Sequence, residues 1–168
     1  MTQFKGLTVI GKFVVSLVAV VVIQGILAYK FRVFSYFDLP LICTVYYGFT
    51  LGNPVVSIIM GSTLGLMQDS LSAAVLGTNG ISKTLIGFFA ASAVSKFAVD
   101  QPITRIFALF LFTLGDGLVV TMLALMTSPV SNTTYSGAVA GWLLSATFNT
   151  LLGLLLFGYR DRLNHATA

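Results

Sequence analysis

Long apolar blocks run along this chain, and they break where turn chemistry and charge coincide. Blocks of this kind read as helices in lipid, because only a helix or a closed barrel satisfies its own backbone there. The first block covers about 11–29 and ends at Lys30 and Arg32. The second, about 39–52, follows Asp38 and stops at Gly52-Asn53-Pro54, where glycine can close one helix and proline can open the next. The third runs over about 54–69, and a linker with Gly77-Thr78-Asn79-Gly80 leads to the fourth, about 81–97. Asp100 is placed to cap the fifth, about 103–126, which has Pro102 in its first turn. The polar stretch Thr127 to Ser136 precedes the sixth, about 137–159. The pattern predicts an all-α membrane protein of about six transmembrane helices in a single integral domain, residues 1–168. The second block falls short of the roughly 20 residues that a span normally needs.

Composition strengthens that reading. The chain is 57% apolar and 8% charged, against roughly 25% charged in an average soluble domain. Nine basic and five acidic residues cannot dress the surface of a globule this size, so most of the outside is expected to face lipid. The net charge of +4 and pI near 9.4 suggest no nucleic acid, because the basic residues are scattered and form no run. They follow the positive-inside rule instead. Lys5, Lys12, Lys96, Arg105, Arg160 and Arg162 fall on one side; Lys30 and Arg32 fall on the other, with Lys83 just inside a helix. Both termini are therefore expected in the cytoplasm. The run Phe13 to Ala28 after Lys5 and Lys12 lacks a small-x-small cleavage site and reads as a retained first helix.

Glycine supplies the packing logic. Gly48 and Gly52, Gly61 and Gly65, and Gly137 and Gly141 are pairs four apart, and each opens a groove on one helix face. In lipid, close backbone approach is a main source of helix contact. Packing within the chain or against a partner's helix would both use such grooves.

Chemistry-bearing residues are few. Cys43 is the single cysteine and can form neither an internal disulfide nor a zinc site. The chain has no glutamate, and its one histidine, His165, lies in the C-terminal tail, far from any serine or cysteine it could activate. The glycine-x-glycine-aspartate pattern of intramembrane aspartyl proteases is not met at Asp116, because Thr113 stands where the first glycine belongs. No enzyme activity, cofactor or metal is expected. A sequon, Asn132-Thr133-Thr134, matters only in a eukaryotic secretory pathway.

The informative polar residues are Asp69, Lys83 and Asp116, because a charge at membrane depth is costly and faces protein or water rather than lipid. Their positions along blocks three, four and five put all three in the outer half, so one ion-pair cluster is expected. Asp116, flanked by Gly115 and Gly117, is the expected partner of Lys83. A structural charge cluster, a polar pocket for a small solute or a partner's backbone, and a proton relay are the three roles open to it.

From Gly61 to Gly87 the chain reads G-STL-G-LMQ-D-SLSAAV-LG-TNG-ISKTLIG. This run resembles the rod shape-determining protein MreD family, in which a glycine-rich third helix meets an aspartate, then a short turn with leucine-glycine, then a helix back across the membrane. Gly61, Gly65, Asp69, Leu76 and Gly77 carry the match, and Asp38-Leu39-Pro40 and the short loops fit. The resemblance implies a non-catalytic inner-membrane component of the bacterial elongasome, supporting side-wall peptidoglycan synthesis. It implies partnership with single-span MreC, in a complex with MreB, a polymerase and a transpeptidase. It also implies a helix arrangement similar to the substrate-binding subunits of energy-coupling-factor transporters. Such a vitamin-binding subunit is the alternative function, although the alanine-x-x-x-alanine docking surface of those subunits is missing, since block one has only Ala19 and Ala28. Gly61, Gly65, Asp69, Gly77, Lys83 and Asp116 are the expected structural or partner-binding residues.

Overall fold

The computed structural model describes residues 18–72, 75–96, 101–127 and 135–166. Residues 11–17 of the first block, Lys5, Lys12, Asp100 and the sequon at Asn132 lie outside the described residues, as do the surroundings of Gly137 and the side chains of Arg160, Arg162 and His165. All regular structure among the described residues is helical. The helices are α1 (Val18–Lys30), α2 (Leu39–Leu51), α3 (Pro54–Leu71), α4 (Thr78–Val94), α5 (Pro102–Thr127) and α6 (Tyr135–Ala166), with a short 3-10 helix over Arg32–Tyr36.

Local chemistry explains the breaks. Asp38 caps α2 by accepting from Leu41 N–H, and Pro40 in the first turn lacks an N–H that would need a partner. Gly52 closes α2 at φ 57°, a left-handed conformation natural to glycine. Asn53 then caps α3 by accepting from Val55 and Val56, with Pro54 as its first residue. The expected Gly52-Asn53-Pro54 hinge is therefore present as predicted from its residues.

Among the described residues, two helical segments are long and apolar enough to cross a membrane: the 26 residues of α5 and the 20 residues Val139–Gly158 within α6. Helix α2 has only 13 residues, but it is the centre of the bundle. Its Leu41, Ile42, Val45 and Phe49 form one core cluster with Ile86 and Ala90 of α4, Leu109 of α5 and Phe157 of α6.

Small residues bring the backbones together. A Cβ at Gly48 would lie 2.8 Å from Ala90 Cβ, and one at Gly87 would lie 2.5 Å from the Ser57 carbonyl oxygen. At Gly61 and Gly65 an added Cβ would overlap the carbonyl oxygens of Lys83 and Asn79. Helices α3 and α4 thus meet backbone to backbone, and the Gly61/Gly65 face is filled by the chain's own α4. The outer surface remains apolar, with Ile59, Phe107, Leu111, Leu118, Met122, Leu151 and Leu155 exposed.

Candidate functional site

The chain direction brings the start of α2, the end of α3 and the start of α4 to one end of the bundle, where most of the buried polar groups gather. Lys83, in the second turn of α4, has no exposed surface. Its Nζ donates to Asp38 Oδ2 at 2.8 Å and to Asn79 Oδ1 at 3.1 Å. Asp116 Oδ1 lies 3.7 Å away and accepts a 2.6 Å bond from Ser82 Oγ. Ammonium carries three protons and a charge, so two carboxylates and an amide oxygen are the neighbours a buried lysine requires.

Asp38 is shared between jobs. Its Oδ1 accepts from Leu41 N–H at 3.0 Å, its Oδ2 takes Lys83, and its own N–H donates to Asn149 Oδ1 of α6 at 2.8 Å. Gln24 of α1 holds the same turn, donating to the Phe37 carbonyl at 2.9 Å and accepting from Leu39 N–H at 2.7 Å.

Asp69 has a different environment. Its Oδ1 accepts from Thr78 Oγ1 at 3.2 Å, Asn79 N–H at 3.1 Å and Asn79 Nδ2 at 2.8 Å. Its Oδ2 accepts from Gly77 N–H at 2.9 Å and Gly80 N–H at 3.1 Å. The free amides of a helix N-terminus carry partial positive charge, so these bonds stabilise the carboxylate. Gly77 makes the geometry possible by adopting φ 100° immediately before α4.

A polar cavity of about 110 Å³ lies beside this network, lined among others by Gln24, Gln68, Asp38, Asp116, Trp142 and Asn149. Two buried atoms at its wall, Gln68 Oε1 and Asn149 Nδ2, have no hydrogen-bond partner among the described residues.

These groups lock helices together and present two carboxylates and several amides to a small interior space, and the run around Asp69 does this with the residues that carried the family resemblance. A model of the rod shape-determining protein MreD family matches residues 3–162. The chain belongs to the MreD family. No curated protein and no solved structure matches it significantly. The MreD family is a shape-determining membrane component and is not known as an enzyme family. Neither the likeness to energy-coupling-factor subunits nor the vitamin-transporter alternative gains support from these comparisons.

Within the chain the expected residues separate into two groups. Gly61, Gly65, Asp69 and Gly77 form a clasp between α3 and the start of α4: Gly61 and Gly65 admit α4 carbonyls, Gly77 makes the turn into α4, and Asp69 binds the amides there. Lys83 and Asp116 belong to a second group with Asp38. Of the cluster expected of Asp69, Lys83 and Asp116, the Lys83–Asp116 pair is present at 3.7 Å, and the rest is corrected in two respects. Asp69 and Lys83 are joined through Asn79, which donates to one and accepts from the other. The nearer carboxylate to Lys83 is Asp38 rather than Asp116. Gly117 meets the Trp142 ring of α6, its Cβ position 2.7 Å from Cδ1, whereas Gly115 faces Ile86 of α4 at 3.7 Å. Thr113 donates to the Leu109 carbonyl at 2.8 Å, a bond within its own helix.

Sequence reasoning passed over Gln24, Gln68, Asn79, Ser82 and Asn149 as site members. Asp38 was noted as the residue before the second block and within the family resemblance, but neither as a helix cap nor as a charge partner. Its position one residue before a proline-containing apolar block is the only signal that it sits at the bundle's polar end.

Proposed function

We propose that this protein is a non-catalytic scaffold of the rod complex in the bacterial inner membrane, crossing it about six times with both termini in the cytoplasm. It supports side-wall peptidoglycan synthesis by acting with single-span MreC, in an assembly that includes MreB, a polymerase and a transpeptidase. The observation that carries this reading is the family match over residues 3–162, nearly the whole chain. The site agrees with it: Asp69 is consumed by the amides of α4 and Lys83 by Asp38, Asn79 and Asp116, bonds that fix helix positions. In this role Gly61, Gly65, Asp69, Gly77, Lys83 and Asp116 maintain the shape of the bundle.

Depletion in a rod-shaped host tests the proposal. Cells are expected to round and swell, and restoring the protein should return them to rods. A tagged copy is expected to co-purify with MreC. Normal rods after full depletion would overturn the reading, and rescue of shape by an added vitamin would replace it with the transporter alternative.

A further inference from the structure

We propose that the cavity beside Asp38 and Asp116 binds the uncharged hydroxyl or amide head of a single-chain amphiphile whose tail lies in the recess between α1 and α3. The cavity alone, at about 110 Å³, has room for a few water-sized groups. It adjoins a larger recess of about 430 Å³, and Gln24, Ser35 and Gln68 line both. The recess is walled by Val21, Gly25 and Ala28 of α1 and by Leu71 of α3. Tyr29 and Ser72 also line the recess, and a small polar chamber at the end of a mainly apolar trough fits a molecule with a polar head and a hydrocarbon chain.

The unpartnered atoms decide the head. Asn149 has no exposed surface, and its Nδ2 is a donor without an acceptor. The Asn149 amide is oriented by the Asp38 N–H on its Oδ1, which leaves Nδ2 as the free end. Gln68 Oε1 is a buried acceptor without a donor. An ammonium head offers donors only, and a carboxylate or phosphate offers acceptors only; a hydroxyl or an amide offers both. Charge disfavours the anionic heads a second time, while the ammonium is set aside by its lack of an acceptor. Among the described residues Asp38 and Asp116 line the cavity with Lys83 as their cation, so an anion would enter against an excess of carboxylates.

Trp142 is the only tryptophan in the chain and lines the cavity, so it reports occupancy directly. The experiment uses the full chain in phospholipid nanodiscs, titrated with a monoacylglycerol brominated on its acyl chain. The fatty acid and the fatty amine of the same brominated chain are titrated in parallel. The expected result is saturable quenching of Trp142 by the monoacylglycerol and only weak, linear quenching by the other two. Gln68→Met removes one hydrogen bond to the head and should weaken the effect by about tenfold. Gly25→Leu fills the recess and should abolish saturation, with the melting temperature of each variant confirming that it is folded. Equal quenching by all three heads would show ordinary lipid contact, and absence of saturation would show a cavity filled by water; either result overturns the proposal. Because the measurement is made on isolated protein, its failure leaves the role in cell shape to be judged by the depletion experiment.

Discussion

At Lys83 an ammonium removed from solvent is shared among Asp38, Asn79 and the more distant Asp116. Loss of one member of a buried ion pair leaves the other charge without compensation, at a cost of about 3–5 kcal/mol. Lys83→Met is therefore expected to lower the melting temperature in detergent sharply. Asp38→Asn keeps the amide oxygen that can cap α2, while it removes the charge-assisted bond at 2.8 Å; Asp116→Asn removes a partner at 3.7 Å. Combined with Lys83→Met, Asp38→Asn should recover more stability than Asp116→Asn does, which is the signature of stronger coupling. The reverse order in the two cycles would restore Asp116 as the principal partner. The sequence marked Lys83, Asp69 and Asp116 because a charge inside an apolar block is costly. It could not mark their pairing, since Asp38 lies 45 positions from Lys83 and stands outside the apolar blocks. Asn149 is 111 positions from Asp38, and an uncharged amide in an apolar block gives no comparable warning.

The helices show what block patterns convey and where tertiary structure intervenes. Turn chemistry located the Gly52-Asn53-Pro54 hinge because the residues that make it are adjacent. The fourth block, expected over about 81–97, begins as α4 at Thr78. Asp69 supplies a cap from another helix and holds the amides of Asn79 and Gly80, so the apparent linker is already helical. Helix α2 resolves the oddity of the short second block. At ~1.5 Å per residue it is about 20 Å long, less than a hydrocarbon core of roughly 30 Å, but its partners in the bundle rather than lipid bury Leu41, Ile42 and Val45. The clasp between α3 and α4 is testable with single methyl groups. Gly61→Ala and Gly65→Ala place a Cβ on the carbonyls of Lys83 and Asn79, and overpacking of this kind costs about 1–3 kcal/mol. Gly141→Ala on α6 meets nothing within 4 Å and should be neutral or gain up to about 1 kcal/mol from helix propensity. Thermal melts of the three variants check this; equal tolerance would mean that α3 and α4 have room to spare.

For the molecule as a whole, the polar core and the basic residues make a joint statement about orientation. Asn79 joins Asp69 at the end of α3 to Lys83 near the start of α4, and Lys83 binds Asp38 at the start of α2, so these helices run alternately up and down. The 3-10 helix and the turn carrying Leu76 consequently lie at one end of the bundle, and Lys96 beyond α4 lies at the other. The excess of lysine and arginine falls with Lys96 and Arg105, and by the positive-inside rule this supports the proposal that that end is cytoplasmic and the Asp38 end faces outward. Single cysteines placed in a Cys43→Ser background test the assignment. Ser35→Cys and Leu76→Cys should react with a membrane-impermeant maleimide in intact cells, whereas Lys96→Cys should react only after the cells are opened. Both Ser35 and Leu76 are exposed in the structure, so failure to label cannot be ascribed to burial. A fully reversed pattern would invert the orientation while keeping the bundle. Labelling of Ser35→Cys and Leu76→Cys from opposite sides would be more serious, because α2 and α3 together would then cross the membrane an odd number of times, and the alternating arrangement behind the six-span proposal would fail.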